Sequence, residues 1–175
     1  MPGTRPAITF RKLEHRDVPD VVEWLARPHV AEWWGDGEDF EEDYAPVIAG
    51  DVPTQAFIAG QGADPIGFIQ SYRATDSHDE GWWLEERDPG VYGIDQFLAD
   101  GARLGQGLGT AMISAFLERL FRDPTVTRIQ TDPSPLNARA IRCYEKCGFR
   151  RHGEIVTLDG PALLMYCERP TQLVG

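Results

Sequence analysis

The chain has 175 residues, 42% of them hydrophobic and 26% charged, an ordinary globular composition with enough length for one core. Its formal net charge of −11 argues against a nucleic-acid surface or an anionic membrane and favours a cationic partner, unless the acidity serves solubility alone. No apolar run approaches a membrane span, and the start of the chain lacks a charged-then-apolar leader with a small-residue cleavage site, so a cytoplasmic protein is expected.

A strand is predicted over residues 8–13, then a helix through Val21, Val22, Trp24 and Leu25 that stops at Arg27-Pro28. A less regular stretch, His29-Val30-Ala31-Glu32-Trp33-Trp34-Gly35, precedes an acidic run over residues 37–43 and a short helical piece ending at Gly50. Residues 55–59 and 66–72 read as two strands of a hairpin whose turn spans residues 60–65. A long polar connection over residues 73–90 carries Trp82-Trp83 among Asp76, Asp79, Glu80, Glu85, Glu86 and Asp88, and loops of that length are commonly functional. Then come a strand over residues 91–99, a glycine-rich turn, a helix to Arg122, and a strand around residues 128–132. A helix from near Asn137 stops at Gly148, a natural C-terminal cap, and two closing strands meet at Asp159-Gly160-Pro161. This order predicts an α/β (α+β) fold, a mixed sheet with helices on its faces, with no internal repeat or linker.

The most informative stretch is Leu104-Gly105-Gln106-Gly107-Leu108-Gly109-Thr110. Its glycines let the backbone turn tightly and aim several N–H groups at one place, and the helix that follows adds the positive end of its dipole, which suits the phosphate of an anionic cofactor. It has neither the Gly-Lys-Ser/Thr of a Walker loop nor the glycine spacing of a dinucleotide fingerprint. By itself it is equally a helix-entry turn. The cysteines, Cys143, Cys147 and Cys167, show no Cys-x-x-Cys spacing, and the four histidines are scattered, so neither a disulfide framework nor a metal site is assigned. Cys143 and Cys147 share a helix face as packed or free thiols.

Strand, glycine turn, helix and strand, followed by Asn137 and Tyr144 on one helix, resembles the GNAT superfamily of acyl-CoA N-acyltransferases over nearly the whole chain. Within it, the strings HVAEWWG, DEGWWLEERDPGVYGIDQ, LGQGLGT and TDPSPLNARAIRCYEKCGF are similar to the aminoglycoside 6′-N-acetyltransferases, which are resistance enzymes. The resemblance implies the GNAT fold, with about six to seven strands flanked by helices on both faces, in a single domain over residues 1–175. It also implies transfer of acetyl from acetyl-CoA to the 6′-amine of an aminoglycoside by direct attack in a ternary complex. One departure is Leu104, with Arg103 beside it, where the superfamily's glycine motif usually opens with Gln or Arg; backbone N–H groups make most of the phosphate contacts, so the departure weighs little.

Acetyl transfer to an amine needs the cofactor fixed, the amine neutral, the oxyanion stabilised and the departing thiolate protonated. The resemblance puts the pyrophosphate on the loop from Leu104 and Gly105 to Thr110 and the pantetheine beside Gln96, Phe97 and Leu98, where a strand N–H polarises the acetyl carbonyl. Asn137 bonds the cofactor's amide arm or is simply a helix cap. Tyr144 lies two helical turns after Asn137 on the same face as Ile141 and either protonates the thiolate or is a core tyrosine. Asp95 interrupts an apolar strand of Tyr92, Ile94, Phe97 and Leu98, where a carboxylate is costly unless a cation meets it. That cation is an arginine or, as the resemblance implies, an ammonium group of the substrate from which Asp95 takes a proton directly or through water.

Asp132 and Asp159 match substrate-contacting acids of the resembled family, with turn and cap roles as the alternative. Trp82 and Trp83 in an acidic loop are better explained as a wall or lid than as core, and a sugar ring or ring amine is expected to stack there; Glu80 is expected as a further ammonium contact and Tyr72 as a further substrate contact. Trp34, beside Trp33, either lines the substrate cleft or pins its helix. His29 receives no catalytic role, and Arg139, Arg142 and Lys146 meet cofactor phosphates or complement the helix C-terminus. No covalent acyl-enzyme through Cys143 is expected. Rival activities are acylation of another amine or hydroxylamine, such as a siderophore precursor, and binding of acyl-CoA or a cation without turnover. The four acids Glu80, Asp95, Asp132 and Asp159 suit a polycation better than a partly anionic hydroxylamine, and monomer and homodimer fit equally.

Overall fold

The computed structural model describes residues 6–171; the beginning of the stretch in which a leader would stand, and both ends of the expected 1–175 domain, lie outside the described residues. The strands are β1 (Ile8–Lys12), β2 (Gln55–Gln61), β3 (Asp64–Arg73), β4 (Val91–Leu98), β5 (Arg128–Thr131), β6 (Arg150–Thr157) and β7 (Gly160–Glu168). The helices are α1 (Val18–Leu25), α2 (Pro28–Trp34), α3 (Phe40–Ala49), α4 (Leu108–Phe121) and α5 (Ala138–Lys146). The strands form one sheet in the order β1-β2-β3-β4-β5-β7-β6, mixed because β4 and β5 are parallel while the other pairs described are antiparallel. The chain packs as two compact units, Met1–Ser71 with Asp95–Met112, and Tyr72–Ile94 with Ile113–Gly175.

In the first unit, consecutive strand residues bury themselves in different clusters. Ile58 and Phe97 join Val21, Trp24, Leu25, Val30, Phe40 and Phe68, whereas Ala59 and Leu98 join Ile66, Leu108 and Met112. Alternating side chains therefore bury both faces of these strands, at about 1.5–3 kcal/mol for each large apolar side chain. The stretch from His29 to Gly35 is not irregular: Pro28, which ends α1, opens α2, where a missing N–H costs nothing and the fixed φ suits a helix. The β2–β3 turn is not six residues but Gly62-Ala63, because Gln61 pairs with Asp64 and Gly60 with Pro65 after a register shift at Ala59/Gly60. The Gly and Pro signals mark a bulge beside a two-residue turn in which Gly62 takes φ 61°. Part of the acidic run, Glu41, Glu42 and Asp43, forms the first turn of α3, where the helix dipole favours it.

In the second unit, Ile113 and Phe116 of α4, Ile129 of β5 and Met165 of β7 are fully buried. Arg169, just past β7, donates to the carbonyls of Val126 (2.8 Å) and Phe121 (3.0 Å), tying the end of α4 to the approach to β5. Seven residues of the long connection, Ala74–Glu80, are ordered as a 3-10 helix. The β6–β7 hairpin closes over Leu158-Asp159, with the Thr157 hydroxyl donating to Gly160 O at 3.0 Å.

Candidate functional site

Asp95 sits half-buried on β4 and does not stand alone. Gln70 of β3 donates through Nε2 to Asp95 Oδ2 at 3.0 Å, and its Oε1 accepts the Tyr44 hydroxyl of α3 at 2.7 Å. Tyr44 stacks on Phe40 with ring centroids 4.2 Å apart. Burial, reinforced by the charge of Asp95, pushes the Tyr44 hydroxyl well above its ordinary range, so it remains a donor. Its donation fixes which end of the Gln70 amide faces which neighbour, and the chain ends on a carboxylate that accepts. Sequence reasoning misses Tyr44 and Gln70; their only trace is a polar residue after the buried run Ile66 to Ile69.

The surrounding residues fix β4. Trp34 packs edge-on against Phe97 (5.1 Å) and Phe68 (6.0 Å), so it pins α2, while Trp33 is 40% exposed. His29 donates through Nε2 to Leu98 O at 2.8 Å and Arg27 to Ala99 O at 2.6 Å, a structural task for His29. Next comes the glycine loop, in which Gly105 and Gly107 take φ 74° and 81°, and a side-chain carbon added at either would meet no atom of the described residues within 4 Å beyond its chain neighbours; backbone handedness, not crowding, demands glycine. Gln106 Nε2 donates to Ala102 O at 2.9 Å, and Arg103 to Gln61 Oε1 at 3.1 Å. Leu104 packs against the cluster of Leu98, Leu108 and Met112, which gives an apolar residue at the motif's first position a physical reason. Ala111 N–H donates to Gly107 O at 3.0 Å, so α4 starts on the loop and turns its first amides toward it. Loop and helix start, with Gly109 and Thr110 half-buried in the first turn, fit a phosphate group.

In the second unit, Trp82 and Trp83 form the wall of a cavity of about 500 Å³, which also borders Glu86, Gln130, Val156 and Tyr166. Their rings lie 5.9 Å apart at 38°. Trp83 has φ 53°, the only positive φ outside glycine among the described residues, a costly conformation for a bulky residue. It is held by His78 Nε2 donating to Trp83 O at 3.0 Å and by Glu86 N–H donating to the same carbonyl at 2.9 Å. Beneath it, Arg128 pairs with Glu86 at 2.9 Å and lies 4.0 Å over the Tyr166 ring, while Asp88 accepts from Thr127 Oγ1 at 2.6 Å and from Gly90 N–H at 2.8 Å. A side-chain carbon built on Gly81 would lie 3.6 Å from Leu158, and both residues line the cavity, so the hairpin turn holding exposed Asp159 reaches this loop. Asp132 follows β5 half-buried, and Glu80 is exposed at the end of the 3-10 helix. Tyr72 lies over Gly93, its ring atom 2.1 Å from where a side-chain carbon would sit, so glycine at 93 seats it.

On α5, Asn137 caps the helix, its Oδ1 accepting from Ala140 N–H at 3.2 Å, and Tyr144 is 5% exposed, edge-on to Phe149 at 5.3 Å. The Ser114 hydroxyl donates to Cys147 Sγ at 3.6 Å, and the neighbouring Cys143 thiol, with burial, pushes the Cys147 thiol far up; burial does the same to Cys167. Thiols held protonated are poor nucleophiles. Among the described residues, no group of three His, Cys, Asp or Glu side chains is arranged to hold a metal ion, and no helix is long and apolar enough to cross a membrane.

A mixed seven-stranded sheet, with a glycine loop entering a helix after its central strand, is the frame of an acyl-CoA-dependent acyltransferase. The family described as acetyltransferase (GNAT) domain matches residues 14–157, and the chain belongs to it. It is 50% identical over 169 residues to aminoglycoside N(6′)-acetyltransferase type 1 of Klebsiella pneumoniae, covering 93% of this chain and 84% of that protein. It is 64% identical over 84 residues to a kanamycin resistance protein of Rhizobium radiobacter, 48% of this chain and 78% of that protein. Aminoglycoside acetyltransferase AAC(6′)-Ib, solved in complex with coenzyme A and kanamycin, superposes with a TM-score of 0.87 at 50% identity, covering 93% of this chain and 95% of that one.

Proposed function

We propose that the protein transfers the acetyl group of acetyl-CoA to the 6′-amine of an aminoglycoside, by direct attack in a ternary complex and within one domain over residues 1–175. The observation that carries this is the 50% identity, over 93% of the chain, to an aminoglycoside N(6′)-acetyltransferase. Acetyl-CoA supplies the activated acetyl group. The loop from Leu104 through Gly105, Gln106, Gly107, Leu108 and Gly109 to Thr110 holds its phosphates with backbone N–H groups, and Gln96, Phe97, Leu98 and Asn137 align its arm. Asp95, oriented by Gln70 and Tyr44, accepts the proton of the attacking amine, and the Tyr144 hydroxyl gives a proton to the departing sulfur. Glu80, Asp132 and Asp159 attract the remaining ammonium groups, Trp82 and Trp83 stack on a sugar ring, Tyr72 lines the substrate's path, and the partly exposed Trp34 lines it too besides pinning α2. Neither a metal nor a covalent enzyme intermediate is invoked, so Cys143→Ala retains turnover.

The test is thiol release from acetyl-CoA with kanamycin, tobramycin and amikacin as acceptors, beside a lysine-derived hydroxylamine and a no-acceptor control. Turnover with the drugs and a product acetylated at the 6′-nitrogen is expected. Silence with every drug, with the protein still binding acetyl-CoA, overturns the substrate assignment.

A further inference from the structure

Gln130 lies in the middle of β5, 2% exposed, and its side-chain Nε2 has no hydrogen-bond partner among the described residues. Buried amides of this kind are costly and are usually satisfied. The residue borders the cavity of about 500 Å³ walled by Trp82 and Trp83. Two other polar side chains of that wall are committed elsewhere: Glu86 accepts from Arg128 and from the N–H groups of Arg87 and Asp88, and the Thr157 hydroxyl donates to Gly160 O. The Arg128 Nε, also unpartnered among the described residues, belongs to a guanidinium stacked on Tyr166, and Arg128 does not border the cavity.

We infer that Gln130 is a specificity-determining contact for the acetyl acceptor, its amide hydrogen-bonding a hydroxyl of a sugar ring laid against Trp82 and Trp83; this rests on the function proposed above. A hydroxyl both donates and accepts, so it satisfies either end of the amide, whereas an ammonium group can only donate. The carboxylates therefore select the amines of the acceptor, and Gln130 selects a polyhydroxylated one. An acyclic amine leaves the amide unsatisfied and loses affinity for that reason.

The experiment compares Gln130→Leu and Gln130→Met with the unsubstituted enzyme, measuring kcat and KM for kanamycin, KM for acetyl-CoA, and the melting midpoint. The KM for kanamycin is expected to rise about tenfold in both variants, with the acetyl-CoA KM unchanged and the melting midpoint equal or higher, because an unsatisfied buried amide has been removed. An unchanged kanamycin KM in either folded variant overturns the inference, and so does a marked fall in the melting midpoint of both, which assigns Gln130 a structural task. Failure of the unsubstituted enzyme to acetylate any aminoglycoside is seen before any variant is made; it sinks the proposed function and this inference together, whereas a failure confined to the variants leaves that function standing.

Discussion

Asp95 and Gln130 are both polar residues set into buried strands, and the structure treats them in opposite ways. Asp95 receives a hydrogen bond from Gln70, itself held by Tyr44 in an aromatic cluster, so its geometry is set before any ligand arrives. Gln130 keeps an Nε2 unpaired among the described residues, beside a cavity whose wall includes a strained Trp83. A group that moves a proton gains by being oriented in advance, because misplacement costs rate. A group that recognises a ligand gains by being left unsatisfied, because only the right ligand completes it.

That contrast predicts separable kinetics. Asp95→Asn keeps an oxygen to accept from Gln70 but loses the base, so kcat should fall by about 100-fold or more while the acetyl-CoA KM and the melting midpoint hold. A kcat within a fewfold of the unsubstituted value would remove Asp95 from proton transfer and erase the distinction. Trp83→Ala should act on the other side: the aminoglycoside KM rises about tenfold, the loss of one stacking or cation–π contact, and kcat changes little. Steady-state kinetics on the two variants in parallel reads both effects, and a fall in kcat for Trp83→Ala equal to that for Asp95→Asn would merge the two regions into one.

Much of this was legible in the sequence because it rests on local rules. The glycine loop was visible in the residue types alone, since Gly105 and Gly107 supply backbone conformations that other residues resist. The strands followed from alternation, and Trp82-Trp83 stood out as indoles in an acidic loop. The partners of Asp95 were invisible because they depend on register across β3 and β4 and on the seat of α3, none of which a linear pattern encodes. Gln130 was hidden for a similar reason: an amide in a strand carries no signal until its missing partner is seen. The helix α2 is hidden in the sequence because Pro28 ends one helix and begins the next, and a proline carries both meanings.

Tyr44→Phe sharpens the first half of the contrast at a smaller scale. Removing the hydroxyl leaves Gln70 Oε1 without its donor, so the amide is free to turn and Asp95 loses its fixed neighbour. Stability should drop by about 1–2 kcal/mol in urea titration and kcat by a fewfold, with the aminoglycoside KM nearly unchanged. A shift confined to KM would show that Tyr44 contacts the acceptor and does not position Asp95.

The smallest effect concerns the loop beneath Trp83. The Thr127 hydroxyl and the Gly90 N–H hold the Asp88 carboxyl below the usual carboxylate range. A carboxylate depressed in the folded state contributes stability that is complete above its unfolded pKa, about 3.9, and is lost as pH falls through the folded value. Acidification below about pH 4 should therefore loosen the Trp82–Trp83 loop. In Asp88→Asn the carboxylate is absent at every pH, so the acid-dependent part of the loop's tryptophan fluorescence should shrink. The aminoglycoside KM at neutral pH should rise no more than a fewfold, because the Glu86–Arg128 pair and the His78 contact still hold the loop. An acid transition of unchanged size in Asp88→Asn would place the pH dependence in another carboxylate, with Asp17, depressed by Arg11 and the Glu14 N–H in spite of its burial, the next to test.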